Sequence, residues 1–217
     1  MAIKVLLADD HAIVRQGLSS SIQQEEDMKV VGQAKDGLTA VQLVGELSPD
    51  VVVMDISMPD INGVDATREI VRDYPKVKVI ALSMHSEKKF VREMFRAGAC
   101  AYLLKACEFD ELAEAIRTVM SGKTYISPKI ADVVVEGYVR GPGEEESSVF
   151  SSLTTREREV LQLMAEGKTT KQIGLKLYIS PKTVEAHRLR VMEKLDIYNV
   201  AQLTKYAIQE GLTSVET

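Results

Sequence analysis

The chain has 217 residues, of which 45% are hydrophobic and 27% are charged, and its net charge is −5. This length suits two domains that each bury a core, and the composition argues against a disordered or fibrous protein. No apolar run approaches the length of a membrane span, and the chain enters a strand pattern without a signal peptide, so we expect no membrane partner. Two cysteines are too few for a disulfide framework or metal site, which favours reduced thiols in a cytoplasmic protein.

The charge is unevenly distributed along the chain. Residues 1–147 hold 17 Lys and Arg against 24 Asp and Glu, a balance of −7, whereas residues 148–217 hold 10 against 8, a balance of +2. An acidic front and a mildly basic rear indicate two different tasks. The second task is compatible with binding to nucleic acid.

The first two-thirds of the chain alternates strand-like apolar runs with stretches of helical periodicity. The runs are apolar throughout, which is typical of parallel strands buried on both faces. This pattern predicts an α/β fold, a doubly wound parallel (βα)5 sheet, with a fifth helix at 108–120. The five predicted strands are 3–8, 29–34, 50–55, 76–83 and 100–105.

The rear of the chain has helical periodicity only. A helix at 128–138 precedes a Gly-, Pro-, Ser- and Glu-rich stretch at 140–152, which we expect to be a flexible linker. A small all-α domain of four helices follows, the first opening at Thr154 and the third at the Ser180-Pro181 start signal. Its later helices are expected at 169–177, 181–195 and 199–209. The predicted divisions are 1–125, 126–152 and 153–217.

Polar residues follow four of the predicted strands. Asp9 and Asp10 follow the first strand, Asp55 the third, Ser83 the fourth and Lys105 the fifth. Any one such Asp could simply cap a helix. Ligands of doubly wound sheets, however, bind at the carboxyl ends of the strands, and three crowded carboxylates repel one another unless a proton or cation lies among them. Oxygen ligands without His or Cys favour Mg²⁺.

The same residues suit phosphoryl transfer. Lys105 is a partner for phosphate oxygens, Ser83 offers a hydroxyl, and a carboxylate can act as nucleophile. The sequence contains no glycine-rich phosphate loop, so a nucleotide is a poor candidate.

These residues resemble those of a known family. Asp9-Asp10, the stretch DISMPDING at 55–63, Ser83 and the LLK of 103–105 closely resemble the receiver domain of two-component response regulators, over residues 1–125. The resemblance implies a flavodoxin-like receiver whose Asp55 accepts a phosphoryl group from a sensor histidine kinase.

The resemblance also implies roles for the neighbouring residues. Asp10 and Asp55, with the backbone carbonyl of Ser57, would bind Mg²⁺, and Asp9 would help through water. Ser83 and Lys105 would hold the phosphoryl oxygens. Tyr102 matches an aromatic residue that turns inward on activation, although a half-exposed strand aromatic is the alternative.

Four residues near the predicted site receive plainer interpretations. Pro59 and Gly63 fit a turn, with the glycine allowing a positive φ. His11 and His85 lack metal-ligand spacing and are expected on the surface or in packing, although His85 could influence the access of water.

In the rear domain, segments 169–177 and 181–195 form a predicted helix-turn-helix. Val184, Val191, Met192 and Leu195 are spaced to face the core, which leaves the other side for phosphates and base edges of the major groove. A solvated helix face with incidental charges is the alternative. The outer residues are Lys182, Thr183, Glu185, Ala186, His187, Arg188, Leu189 and Arg190.

Residues 150–212 resemble the LuxR-type helix-turn-helix, and together with a receiver this is the architecture of the NarL/FixJ group. The resemblance makes 181–195 the recognition helix and 199–209 a helix that pairs two such domains. Lys182, Thr183, Glu185, Ala186 and Leu189 match groove-facing positions. His187, Arg188 and Arg190 suit phosphate contact. The acidic Glu185 either accepts a hydrogen bond from a cytosine or disfavours non-specific binding to DNA.

The combined prediction is a cytoplasmic transcription factor, not an enzyme beyond its own phosphorylation and dephosphorylation. Phosphorylation would let the rear domain leave an occluded state and bind double-stranded DNA as a homodimer. Two rivals are a Mg²⁺-dependent phosphohydrolase and a DNA-binding regulator that ignores phosphorylation. Ser57 stands where a phosphohydrolase would be expected to carry a second acid, and the intact acid cluster argues against the other rival.

Overall fold

The computed structural model describes residues 2–139 and 149–213. Its front part contains six parallel strands among these residues, in the order β2-β1-β3-β4-β5-β6. The first and third strands are neighbours, so their carboxyl ends lie side by side. The strands are β1 (Ile3–Ala8), β2 (Met28–Ala34), β3 (Val51–Met54), β4 (Lys78–Ser83), β5 (Ala101–Leu104) and β6 (Tyr125–Ile126).

Helices cover both faces of the sheet, as continuous apolar strands require. One face buries Val52 and Met54 with residues of α2, α3 and α4, and the other buries Val51 and Val53 with residues of α5. The α/β prediction is confirmed. The helices of this part are α1 (Ala12–Ile22), α2 (Gly37–Leu47), α3 (Gly63–Asp73), α4 (Lys88–Ala97), α5 (Phe109–Met120) and α6 (Pro128–Val139).

The sixth strand extends the fold past the five predicted. Tyr125 and Ile126 pair in parallel with Ala101 and Tyr102 of β5. Ile130 of α6 is fully buried in the core that includes α4. The strand was missed because two residues are too short to show a period.

The rear part is a separate group of helices with cores of its own. Thr154 and Thr169 each form a capping box, and Ser180 caps a helix with Pro181 in its first turn, so three starts follow the sequence signals. The helices are α7 (Val149–Ser152), α8 (Thr155–Ala165), α9 (Thr170–Lys176), α10 (Pro181–Leu195) and α11 (Val200–Gln209).

The expected linker at 140–152 is only partly described. Residues 140–148, including its glutamate run, lie outside the described residues. Its last four residues form α7, and Val149 is fully buried in the rear core. In the part of the chain that the structure describes, no helix is long and apolar enough to span a membrane.

Candidate functional site

The carboxyl ends of β1 and β3 bring the three predicted acids together. Oxygens of Asp9, Asp10 and Asp55 and a ring nitrogen of His11 all lie within 4.8 Å of one another. Asp9 and Asp55 are buried, and Asp10 is partly exposed. The juxtaposition follows from strand order, because β1 and β3 are hydrogen-bonded neighbours.

Lys105 joins this cluster from the end of β5. Its Nζ lies 2.7 Å from Asp9 Oδ2 and 2.9 Å from Asp55 Oδ2. The lysine is therefore shared between the two buried carboxylates. One ammonium group balances only part of the negative charge, so the cluster retains the character of a cation site.

Burial raises the pKa of Asp55 to about 6, with repulsion from Asp9 and Asp10 adding to the rise and Lys105 opposing it. Burial also lowers the pKa of Lys105, but the attraction of Asp55 and Asp9 outweighs it and the net pKa is raised. Lys105 therefore stays charged, and Asp55 is mostly ionised at neutral pH but takes up a proton under mildly acidic conditions.

His11 lies at the surface, as predicted, but its ring also contacts the acid cluster. Its backbone N–H donates to Asp9 Oδ1 at 2.8 Å, and its Nδ1 lies 3.1 Å from the same oxygen. Nδ1 also lies 2.7 Å from Asp10 Oδ1. The contact could have been predicted because His11 directly follows Asp9 and Asp10 in sequence. The spacing typical of metal ligands does not detect such a contact at the start of a helix.

Ser83, His85 and Tyr102 form a connected group beside the acids. Ser83 is fully buried, and its Oγ accepts from the His85 backbone N–H at 3.0 Å. Tyr102 is also fully buried, and its hydroxyl donates to the His85 carbonyl at 2.7 Å. The alternative of a half-exposed Tyr102 is therefore wrong. Burial lowers the pKa of His85.

The loop after Asp55 is held close to the acid. Ser57 Oγ and His85 Nε2 are 3.1 Å apart, and the Gly63 N–H donates to the Ile56 carbonyl at 2.7 Å. A Cβ on Gly63 would lie 1.9 Å from the Asp55 carbonyl oxygen. Gly63 is not among the residues with positive φ, so that expectation was wrong. The glycine is required by close packing.

The acid cluster fits a hard divalent cation. Its carboxylate oxygens are the donors that Mg²⁺ prefers, and no thiol is among them. Asp10 Oδ1 is buried and makes no hydrogen bond within the described residues, although His11 Nδ1 is near. A buried carboxylate oxygen left in this state is suited to a cation.

The second candidate site is the outer face of α10. Val184, Val191 and Met192 face the rear core, as predicted. The eight predicted DNA-contacting residues lie away from this core. Lys182, Thr183, Glu185, Ala186, Leu189 and Arg190 are exposed, and His187 and Arg188 are half-buried.

Two features of α10 bear on the predicted contacts with DNA. Glu185 accepts a 2.7 Å hydrogen bond from the Thr170 hydroxyl of α9, so part of its acceptor capacity is already used. The residues predicted to face the groove are exposed although the front and rear parts contact each other, as in the pair of Arg158 and Asp65. Among the described residues, the contact between the two parts therefore leaves these side chains open to solvent.

Sequence comparison identifies both domains. Residues 5–117 match the response regulator receiver domain, and residues 151–207 match the bacterial regulatory proteins of the luxR family. The chain belongs to the response regulators of the NarL/FixJ group, which are DNA-binding transcriptional regulators switched by phosphorylation.

Particular relatives match over nearly the whole chain. The oxygen regulatory protein NreC of Staphylococcus carnosus is 40% identical, covering 97% of this chain and 99% of NreC. The transcriptional regulatory protein DegU of Brevibacillus brevis is 38% identical, covering 98% and 96%. Among solved structures, RcsB of Salmonella enterica serovar Typhimurium, bound to a promoter with the phosphomimetic BeF3⁻, is 27% identical with a TM-score of 0.62. That match covers 98% of this chain and all of RcsB.

Proposed function

We propose that Asp55 accepts a phosphoryl group from a sensor histidine kinase and thereby controls DNA binding by the rear domain. The observation that carries this proposal is the contact of Lys105 with Asp55 and Asp9 at the carboxyl end of the sheet. A carboxylate oxygen of Asp55 attacks the donor phosphorus, the donor's bond to phosphorus breaks, and an acyl phosphate forms. Lys105 stabilises the charge that this transfer brings into the site.

Mg²⁺ is the proposed cofactor. Asp10, Asp55 and the backbone carbonyl of Ser57 would hold it, with Asp9 contributing through water. When bound, the ion would neutralise phosphoryl oxygens and orient them. The clustering of the three acids supports this assignment.

Ser83 and Tyr102 are the proposed switch residues, with Lys105. Ser83 and Tyr102 both contact the backbone of His85. Ser83 accepts a hydrogen bond from the His85 N–H, and Tyr102 donates one to the His85 carbonyl. A phosphoryl group that drew the Ser83 hydroxyl toward itself would remove the acceptor of one of these bonds. The loop that carries His85 and the ring of Tyr102 would then settle in a new arrangement.

The rear domain is proposed to bind double-stranded DNA through α10. Its exposed outer residues support insertion into the major groove, with Lys182, Thr183, Glu185, Ala186 and Leu189 facing bases. His187, Arg188 and Arg190 are assigned to phosphates. Activated molecules would bind as homodimers, in the cytoplasm, where DNA is accessible.

The domain division follows the same roles. We assign residues 1–125 to the phospho-acceptor domain and 153–217 to the DNA-binding domain. Because β6 and α6 pack on the front core, the described part of 126–139 extends the phospho-acceptor domain.

The deciding experiment compares wild type with Asp55→Asn. Each protein is treated with acetyl phosphate or beryllofluoride, with and without Mg²⁺, and phosphorylation and DNA affinity are measured. We expect the wild type to respond only with Mg²⁺ and the variant not to respond. A variant that responds like wild type would exclude Asp55 as the acceptor.

A further inference from the structure

His11 adds a nitrogen atom to the acid cluster at the carboxyl end of the sheet. Its Nδ1 lies 3.1 Å from Asp9 Oδ1 and 2.7 Å from Asp10 Oδ1. A ring nitrogen of His11 and one oxygen from each of the three acids all lie within 4.8 Å of one another. The cluster therefore offers a cation an imidazole as well as carboxylates.

The distances around Nδ1 are those expected of neighbouring ligands on one ion. Two donors that lie about 2.1 Å from a cation and at right angles to each other are about 3.0 Å apart. The separations of Nδ1 from Asp9 Oδ1 and from Asp10 Oδ1 lie on either side of this value. The imidazole and the carboxylates can therefore share a cation without a large movement of any side chain.

A hydrogen bond to the acids is the other explanation of these distances, and it accounts for only part of them. Asp9 Oδ1, 3.1 Å from Nδ1, already accepts the backbone N–H of His11 at 2.8 Å. Nδ1 lies closer to Asp10 Oδ1, yet that oxygen is buried and accepts no hydrogen bond within the described residues. A short approach of two donor atoms without a hydrogen bond between them is suited to a shared ion.

Local structure holds the imidazole at the mouth of the site. His11 immediately precedes α1 in an extended conformation, with φ of −80° and ψ of 107°, which turns the chain back beside Asp9. The His11 side chain is 42% exposed, whereas Asp9 and Asp55 are buried. The ring therefore lies between solvent and the buried oxygens, where an entering ion would meet it.

His85, the other histidine near the site, has different surroundings. Its Nε2 lies 3.1 Å from Ser57 Oγ, and its ring stacks on Phe90 at 4.2 Å. Among the described residues, the group of donors around Asp55 includes His11 and not His85. The two imidazoles near the phosphorylation site can therefore be tested separately.

A nitrogen donor changes which cations the site prefers. Carboxylate and carbonyl oxygens suit Mg²⁺, whereas imidazole suits later transition-metal ions such as Ni²⁺ and Zn²⁺. Mg²⁺ also gives up its waters reluctantly and keeps several of them in most protein sites. An imidazole in the place of one water therefore strengthens the binding of a transition-metal ion more than the binding of Mg²⁺.

We infer that His11 is a metal ligand and that the cation site beside Asp55 binds divalent transition-metal ions more tightly than Mg²⁺. The neutral imidazole, with its proton on Nε2, offers the Nδ1 lone pair to the ion. This inference rests on the proposed function, because it assigns a second class of ion to the same site. The supply of both kinds of ion then decides which one is present when Asp55 is phosphorylated.

The test measures the affinities of the full chain for Co²⁺ and for Mg²⁺ by equilibrium dialysis. His11→Gln removes the nitrogen ligand but keeps an amide N–H that can donate to a carboxylate. Because the His11 side chain is 42% exposed, this change is not expected to disturb folding. His187→Gln, the same change on α10, is the matched control. Asp55→Asn shows whether Co²⁺ binds at the phosphorylation site.

We expect wild type to bind Co²⁺ at least about tenfold more tightly than Mg²⁺. His11→Gln should lower the affinity for Co²⁺ by at least about tenfold and the affinity for Mg²⁺ by no more than about threefold. His187→Gln should match wild type, and Asp55→Asn should weaken the binding of both ions. Equal losses for the two ions in His11→Gln would make His11 only a positioning residue for the acids, which would overturn the inference. An unchanged affinity for Co²⁺ in His11→Gln or in Asp55→Asn would also overturn it.

Proton NMR of the wild type loaded with Co²⁺ gives a second measurement that does not depend on the folding of a variant. The unpaired electrons of Co²⁺ move the ring protons of a bound histidine far outside their ordinary range. Such signals should appear in wild type and in His187→Gln, and should be missing from His11→Gln. Their absence from wild type would overturn the inference.

Phosphorylation of wild type by acetyl phosphate separates this inference from the proposed function. If the ligand role of His11 fails while Asp55 is still phosphorylated with Mg²⁺, the proposed function stands without the inference. If Asp55 is phosphorylated with neither Mg²⁺ nor Co²⁺, the proposed function fails and the inference that rests on it fails as well.

Discussion

Lys105 Nζ lies 2.9 Å from Asp55 Oδ2 although the two residues are 50 positions apart in sequence. The contact is made by side chains at the ends of β5 and β3, which are separated in the sheet by β4. Both side chains are nearly buried. The stability of the protein and the reactivity of Asp55 therefore depend on the same contact.

Lys105→Met should destabilise the protein at pH 7 without added metal by about 3 kcal/mol, because Asp9 and Asp55 lose their shared cation while remaining buried. Urea denaturation measures this change. Mg²⁺ should restore more stability to this variant than to wild type. Lys123→Met, at an exposed position, is the control and should change stability little. Equal losses in the two variants would contradict the shared role of Lys105.

The raised pKa of Asp55 makes its contribution to stability depend on pH. Its folded pKa of about 6 exceeds the ordinary value of 3.8, so the stability it contributes is complete below about pH 3.8 and is lost as the pH rises through about 6. Asp55→Asn lacks this loss. Without Mg²⁺, the free energy of unfolding of the variant should therefore rise relative to that of wild type between pH 4 and pH 7, by on the order of 2–3 kcal/mol.

This comparison is made by urea denaturation across that range. Asp73→Asn, at a surface position, is the control. An advantage of Asp55→Asn that stayed constant with pH would rule out the raised pKa of Asp55.

Gly63→Ala should destabilise the receiver because the new methyl group would overlap the Asp55 carbonyl. Relief requires movement of the backbone, at a cost of about 2 kcal/mol. Gly17→Ala is a matched control, since nothing lies within 4 Å of a Cβ there, and it should stabilise α1 by about 0.5–1 kcal/mol. Thermal unfolding of both variants should show opposite shifts. Shifts of the unfolding temperature in the same direction for both variants would contradict the close packing at Gly63.

Arg188→Ala combined with Arg190→Ala should weaken binding to specific and unrelated DNA alike, because these side chains are assigned to phosphates. The slope of log affinity against log salt should decrease by about 2. Fluorescence anisotropy across a salt series measures both effects. Arg72→Ala, on an exposed part of the receiver, should alter neither. An unchanged slope in the double variant would place these arginines away from the DNA.

Much of the fold was accessible from sequence because its signals are local. Buried parallel strands are uninterrupted apolar runs, and Val51–Met54 lies within the predicted strand. The caps at Thr154 and Ser180 marked helix starts that the structure confirms. The cluster of Asp9, Asp10 and Asp55 was also predictable, since parallel strands end at one edge of the sheet.

Other features depend on contacts that no local pattern encodes. The ion pair of Arg158 and Asp65 joins residues that are 93 positions apart and belong to two domains. From the sequence alone, each is typical of a charged residue on the exposed face of a helix. The two-residue strand β6 exists because β5 offers an edge for it. The position of His11 among the acids depends on how the chain turns into α1.

The exposure of α10 bears on how this regulator finds its sites. The structure presents Lys182 and Arg190 to solvent. Loose electrostatic attachment to any duplex, followed by sliding, is therefore open to the protein. Under the proposed function, a kinase would act on molecules that are already attached to the chromosome, and dimerisation rather than a three-dimensional search would then set the delay between stimulus and transcription.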